Sequence, residues 1–145
     1  QAWTPEGEAQ AYHFKITTHL MAPKVGFDKR GRCKAARGRK LKAWRVHRFP
    51  AQIPRFESCL TVKSKDARGL MDLEFNILDK EGESLQRVEG AIDLGDKGTA
   101  SQAVNWDHVE IPAPGLYHMQ VLIEGQEVAR YPMRFTRRGG KRRGK

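Results

Sequence analysis

Apolar and polar residues alternate with a period of two through most of this chain. The clearest run is residues 70–79, where Met71, Leu73, Phe75 and Ile77 share one parity and Asp72, Glu74 and Asn76 the other. That pattern predicts a strand with one face in a core and one in water. Asp79-Lys80-Glu81-Gly82 has turn chemistry, and residues 84–93 resume an extended stretch with Leu85, Val88 and Ile92 less regularly spaced. Gly95-Asp96-Lys97-Gly98 breaks the chain again. Residues 103–111 read as one further strand, with Val104 and Trp106 on one face and Asn105 and Asp107 on the other, stopped by Pro112-Ala113-Pro114-Gly115. In residues 116–124, Tyr117, Met119, Val121 and Ile123 alternate with polar neighbours; a reversal at Glu124-Gly125-Gln126 leads into 127–135, which predicts a hairpin. Pro132 has no N–H to donate to a ladder, so its strand is expected at a sheet edge or with a bulge.

Residues 56–63, 41–47 and 11–20 are further strand candidates, the last with Tyr12, Phe14, Ile16 and Thr18 in register. About eight short strands between Gly/Pro turns, with no sustained helical period, predict an all-β protein: a single antiparallel β-sandwich of the immunoglobulin-like kind. Met71, Leu73, Phe75, Ile77, Tyr117, Met119, Val121 and Ile123 are expected in its core, facing one another across two sheets. One domain over residues 1–136 is expected, followed by a tail over 137–145 that has no apolar residue and is expected to be disordered alone.

Charge changes the picture. Residues 24–48 hold eleven basic residues and one acid, Asp28, while residues 134–145 hold seven basic residues and none. Residues 49–133 between them carry eight basic and fourteen acidic residues, a balance of −6. An acidic body with a basic insertion and a basic C-terminal tail points first to a polyanionic partner. Gly26, Gly31 and Gly38 break any helix in the first arm, and Phe27, Trp44 and Phe49 are interleaved with its cations. Cations neutralise phosphates and release counterions, and aromatic faces stack unpaired bases, a combination suited to RNA or single-stranded DNA. Trp44 shares strand parity with Val46 and is expected in the core, which leaves Phe27 as the better stacking candidate.

The expected phosphate contacts are Lys29, Arg30, Arg32, Lys34, Arg37, Arg39, Lys40, Lys42 and Arg45 in the first arm, with Arg137, Arg138, Lys141, Arg142 and Arg143 in the second. The primary reading is a non-catalytic protein that binds a nucleic-acid backbone as part of a nucleoprotein assembly. The alternative is a protein–protein assembly module whose arms meet an acidic protein partner and whose strand edge near Pro132 is open to pairing. Neither reading specifies an oligomeric state.

Catalysis finds little support. His13, His19, His47, His108 and His118 fall on different segments with no H-x-x-x-H pair, and nothing like a nucleophile elbow frames Ser58 or Cys59 beside Asp107-His108. No catalytic residue, metal or cofactor is assigned. Cys33 and Cys59 match no metal spacing, and two reduced thiols in a cytoplasmic protein are the favoured expectation, with a single bond between them left open. No run of about 18 apolar residues is present to span a membrane. A chain beginning at Gln1 also leaves a removed signal peptide open.

Four segments carry a resemblance: F-P-A-Q-I-P-R at 49–55, N-I-L-D-K-E-G at 76–82, I-P-A-P-G-L-Y at 111–117 and I-E-G-Q-E-V-A-R-Y-P-M-R-F at 123–135. Over about residues 11–136 the chain resembles an uncharacterised bacterial family of small immunoglobulin-like β-sandwich domains. The resemblance implies a fold and no activity. It also implies a neutral, apolar strand leading into Phe49-Pro50, where this chain is loaded with cations instead.

Overall fold

The computed structural model describes residues 12–138. Within them the protein is all-β, with twelve strands in chain order: β1 (Phe14–Ala22), β2 (Lys24–Phe27), β3 (Cys33–Arg37), β4 (Trp44–Val46), β5 (Ala51–Ile53), β6 (Phe56–Ser64), β7 (Leu70–Leu78), β8 (Ser84–Asp93), β9 (Thr99–Trp106), β10 (Val109–Ile111), β11 (Gly115–Ile123) and β12 (Gln126–Arg137). A five-stranded sheet runs β4-β12-β11-β7-β8 and a three-stranded sheet runs β1-β6-β9, while β10 pairs with β5 and β2 with β3. All these pairings are antiparallel except β4 with β12.

One buried cluster joins the two larger sheets, with Leu73, Phe75, Ile77, Met119, Val121, Ile123 and Phe135 from one and Phe56, Leu60, Val62, Val104 and Trp106 from the other. The alternating residues of β7 and β11 are all buried, as their period requires. They do not face one another, however. β7 and β11 are neighbours in one sheet, with Phe75 opposite Val121 and Ile77 opposite Met119, so the two sets stand side by side and share a core with β6 and β9. Within that core the Trp106 indole N–H donates to the buried Ser58 hydroxyl at 2.9 Å.

Two strands depart from the predicted pattern because the backbone resets their parity. The stretch read as one strand over 103–111 is two, β9 on β6 and β10 on β5, broken at Asp107-His108 where His108 adopts φ 56°. In β1 a bulge between Ile16 and Thr18 shifts the alternation, so Met21 enters the main core while Leu20 and Ala22 turn to the outer face. The hairpin is as expected. Ile123 pairs with Gln126, and Glu124 (φ 52°) and Gly125 (φ 77°) form the two-residue turn, both left-handed as a type I′ turn demands. β4 covers only Phe135, Thr136 and Arg137 of β12, so Pro132 lies on an edge among the described residues.

β2 and β3 form a third layer over the outer face of the three-stranded sheet. Val25 and Cys33 pack there with Leu20, Ala22 and Cys59, and the Val25 N–H donates to Glu57 Oε1 at 2.7 Å. This layering corrects the expectation of reduced thiols. Cys33 and Cys59 are 26 positions apart in sequence, but folding sets their Cα atoms 5.9 Å apart and they form a disulfide.

Closing a loop of this length contributes about 3.5 kcal/mol in the chain-entropy account. Reduction, or the double change Cys33→Ala and Cys59→Ala, is expected to lower Tm by roughly 10 °C, read from circular-dichroism melts. A second expectation concerns His19, whose ring stacks on Tyr131 with centroids 3.8 Å apart and whose buried Nε2 has no hydrogen-bond partner among the described residues. Burial lowers its pKa from 6.5 to about 4. Between these values the unfolded chain binds a proton that the native one refuses, so this contribution is complete above about pH 6.5 and fades as pH falls toward 4. Tm is expected to drop between pH 7 and pH 4.5, with part of the drop absent in His19→Phe.

Candidate nucleic-acid interface

The first basic arm begins as a hairpin whose turn is organised by the only acid in residues 24–48. The Asp28 carboxylate accepts the backbone N–H groups of Arg30 (2.8 Å) and Arg32 (2.9 Å), and Arg32 Nε at 3.1 Å. The Arg32 backbone bond leads the causes that hold the Asp28 carboxyl below its usual range. Asp28 is thereby engaged in folding the turn and pairs with one cation only. The other ten cations of this segment have no ion pair among the described residues, and all eleven are exposed.

The structure distributes the expected contacts along one path. Lys29, Arg30 and Arg32 sit in the β2–β3 turn, Lys34 and Arg37 on β3, Arg39, Lys40 and Lys42 in the stretch to β4, and Arg45 on β4. Arg137 ends β12 and Arg138 follows it, both exposed; Lys141, Arg142 and Arg143 lie outside the described residues. The two arms meet. Arg45 stands opposite Thr136 and Val46 opposite Arg137 in the parallel pair, and the Arg138 N–H donates to the Val46 carbonyl at 2.6 Å.

Where they meet is a groove of about 540 Å³ with Leu41, Trp44 and Ile53 in its lining and Arg45, Arg55 and Arg138 around them. A neighbouring groove adds Arg48. Trp44 is only 7% exposed and packs against Phe56 and Phe135 with centroids 4.8 and 5.2 Å away, as its parity predicts. Phe27 is 47% exposed and offers a free ring face near the cationic turn. Arg48 and Arg55 were not among the contacts expected from sequence. Nothing local marks Arg55, which belongs by sequence to the acidic body and reaches the groove because β5 pairs with β10 just before it.

Three of the side chains weighed for catalysis have partners in the fold. Ser58 accepts the Trp106 indole N–H, Cys59 is bonded to Cys33, and His13 Nδ1 lies 2.8 Å from Asp66 Oδ2. Among the described residues no group of three or more His, Cys, Asp or Glu is arranged to hold a metal ion, and no helix is long and apolar enough to cross a membrane.

Two solved structures are similar over most of this chain at low identity. One is the Pseudomonas fluorescens alkylpurine DNA glycosylase AlkC bound to DNA containing an abasic site analog, with 12% identity over 84% of this chain and a TM-score of 0.47. This chain spans 30% of that glycosylase. The other is an immunoglobulin-like protein from Pseudomonas aeruginosa, with 13% identity over 88% of this chain and 99% of that one, and a TM-score of 0.39. No curated protein matches the chain. Residues 39–136, which begin after the basic hairpin and include β4 to β11 and nearly all of β12, match a family of unknown function (DUF6941), and the chain belongs to that family.

Proposed function

We propose that this protein is a non-catalytic nucleic-acid-binding protein: a single antiparallel immunoglobulin-like sandwich with a basic insertion at 24–48 and a basic tail at 137–145, holding an RNA or DNA phosphate backbone within a nucleoprotein assembly. The observation that carries the reading is the parallel β4–β12 pair, which sets Arg45 opposite Thr136 and bonds Arg138 to Val46, so that Arg45 of the first arm and Arg138 of the second line one groove. Exposed, unpaired cations exchange counterions for phosphates at little cost in folding stability. The exposed Phe27 ring and the apolar floor of the groove accept base faces, which favours an unpaired strand over a duplex.

An acidic protein partner is the second reading, favoured by the edge of β12 over residues 127–134, which pairs with no further strand among the described residues. Pro132 interrupts the donors of that edge, which weakens it as a template for strand addition. On location, the cytoplasm is expected for reduced thiols, and the Cys33–Cys59 bond favours an oxidising compartment. The binding chemistry is the same in either.

Fluorescence anisotropy with single-stranded and duplex oligonucleotides, at salt from about 50 to 200 mM, tests the proposal. Log affinity is expected to fall linearly with log salt, and Arg45→Gln/Arg48→Gln/Arg138→Gln to flatten the line by roughly two to three units while Tm stays nearly constant. Removing residues 139–145 is expected to weaken binding further, with an unchanged circular-dichroism spectrum. Absent or salt-insensitive binding at low ionic strength, with capture of an acidic protein, replaces this function by the assembly reading.

A further inference from the structure

Another set of cations converges at the far end of the three-stranded sheet and belongs to neither arm. Lys15 of β1 and Lys63 of β6 stand directly opposite each other in the antiparallel register. Side chains so opposed have Cβ atoms about 5 Å apart, and like charges there destabilise the strand pair. Lys65 and Arg68 follow in the loop after β6, and Lys97 comes from the turn after β8; all five cations line one groove of about 490 Å³. Residues 49–133 are acidic in balance, yet four of their eight cations gather at this place.

Among the described residues no carboxylate lines the groove. Asp66, between Lys65 and Arg68 in sequence, instead accepts the His13 backbone N–H at 3.0 Å and the Ser64 hydroxyl at 3.2 Å, and contacts His13 Nδ1 at 2.8 Å. None of the five cations has an ion pair among the described residues. Arg68 is also held in place. Its Nη1 donates to the carbonyls of Ala67 (2.7 Å) and Ser64 (3.2 Å), and it lies over Gly98, where an added Cβ would meet Nη1 at 2.5 Å and the Ser64 carbonyl oxygen at 2.6 Å. A guanidinium has five N–H donors, so others remain for a ligand, aimed by these contacts.

We infer that the groove formed by Lys15, Lys63, Lys65, Arg68 and Lys97 is a phosphate-binding site. Its place along the fold ties it to the basic hairpin. The Ser101 hydroxyl donates to the Gly31 carbonyl in the β2–β3 turn, and Ser101 pairs with Thr61, one strand period of about 7 Å before Lys63. The turn bearing Lys29, Arg30 and Arg32 therefore abuts this groove, while Pro23, at the other end of the hairpin, lines the groove of Arg45 and Arg138. Resting on the nucleic-acid reading above, the site is the last phosphate subsite of a track that runs along the hairpin.

Titration with pyrophosphate, followed by heteronuclear NMR on the intact protein, tests the site without any nucleic acid. Saturable shifts are expected at residues 15, 63–68 and 97–98, and are expected to be lost in Lys63→Gln/Lys65→Gln/Lys97→Gln. Unsaturable shifts, or shifts undiminished in the variant, overturn the site. With a single-stranded oligonucleotide the same variant is expected to lower the salt slope by about two units, and an unchanged slope overturns the subsite role. Its Tm is expected to hold or rise as the Lys15–Lys63 repulsion is relieved, which separates lost binding from lost folding. Pyrophosphate binding that the variant abolishes, in a wild-type protein that binds no oligonucleotide, upholds the phosphate site and overturns the nucleic-acid reading instead.

Discussion

Every layer among the described residues bears on β6, which is buried on both faces from Ser58 to Val62. Its ladders to β1 and β9 satisfy the backbone on both edges, without which a strand in such a position carries unpaired polar groups at high cost. On the inner side Phe56, Leu60 and Val62 enter the common core, and Ser58 accepts the indole proton of Trp106. On the outer side Cys59 and Thr61 lie beneath the basic hairpin. The strand that centres the core thus also carries the layer that presents the cations.

A two-stranded hairpin is marginal alone, and this one carries repelling charges besides. Its own apolar contribution is small, chiefly Val25 and Cys33. Three devices offset the repulsion: the bond to Cys59, the Val25–Glu57 hydrogen bond, and the Asp28 turn. Because these contacts hold the hairpin, its cations other than Arg32 stay in position without a carboxylate partner among the described residues. That leaves them exposed, at the cost of mutual repulsion.

The two ends of the chain's basic sequence meet through a pairing only three residues long on each strand, β4 with the end of β12. Trp44 anchors it by packing on Phe56 and Phe135, so the register that brings Arg45 to Thr136 is set from the core side. The arrangement of surface charge therefore depends on aromatic packing beneath it. A core defect at Trp44 disturbs the groove as well as the sheet.

Much of the burial pattern was already legible in the chain. Period-two alternation picks out Met71, Leu73, Phe75, Ile77 and their counterparts in β11; Glu124-Gly125 specifies a tight reversal, Pro132 a sheet edge or a bulge, and the parity of Trp44 a place in the core. These are local properties, decided by which way successive side chains point and which φ a residue tolerates. Strand partnership is not local. That β7 neighbours β11 and does not face it, that Cys33 reaches Cys59, that the chain breaks at His108, and that Arg55 joins Arg138 all depend on segments distant in sequence. The opposition of Lys15 to Lys63 is the plainest case: each lies in an unremarkable stretch, and only the register of β1 on β6 makes them a pair. Sequence by itself thus determined which faces are buried and how much charge the surface carries, while the tertiary structure alone decided which charges stand together, because pairing is selected by the packing of the whole core.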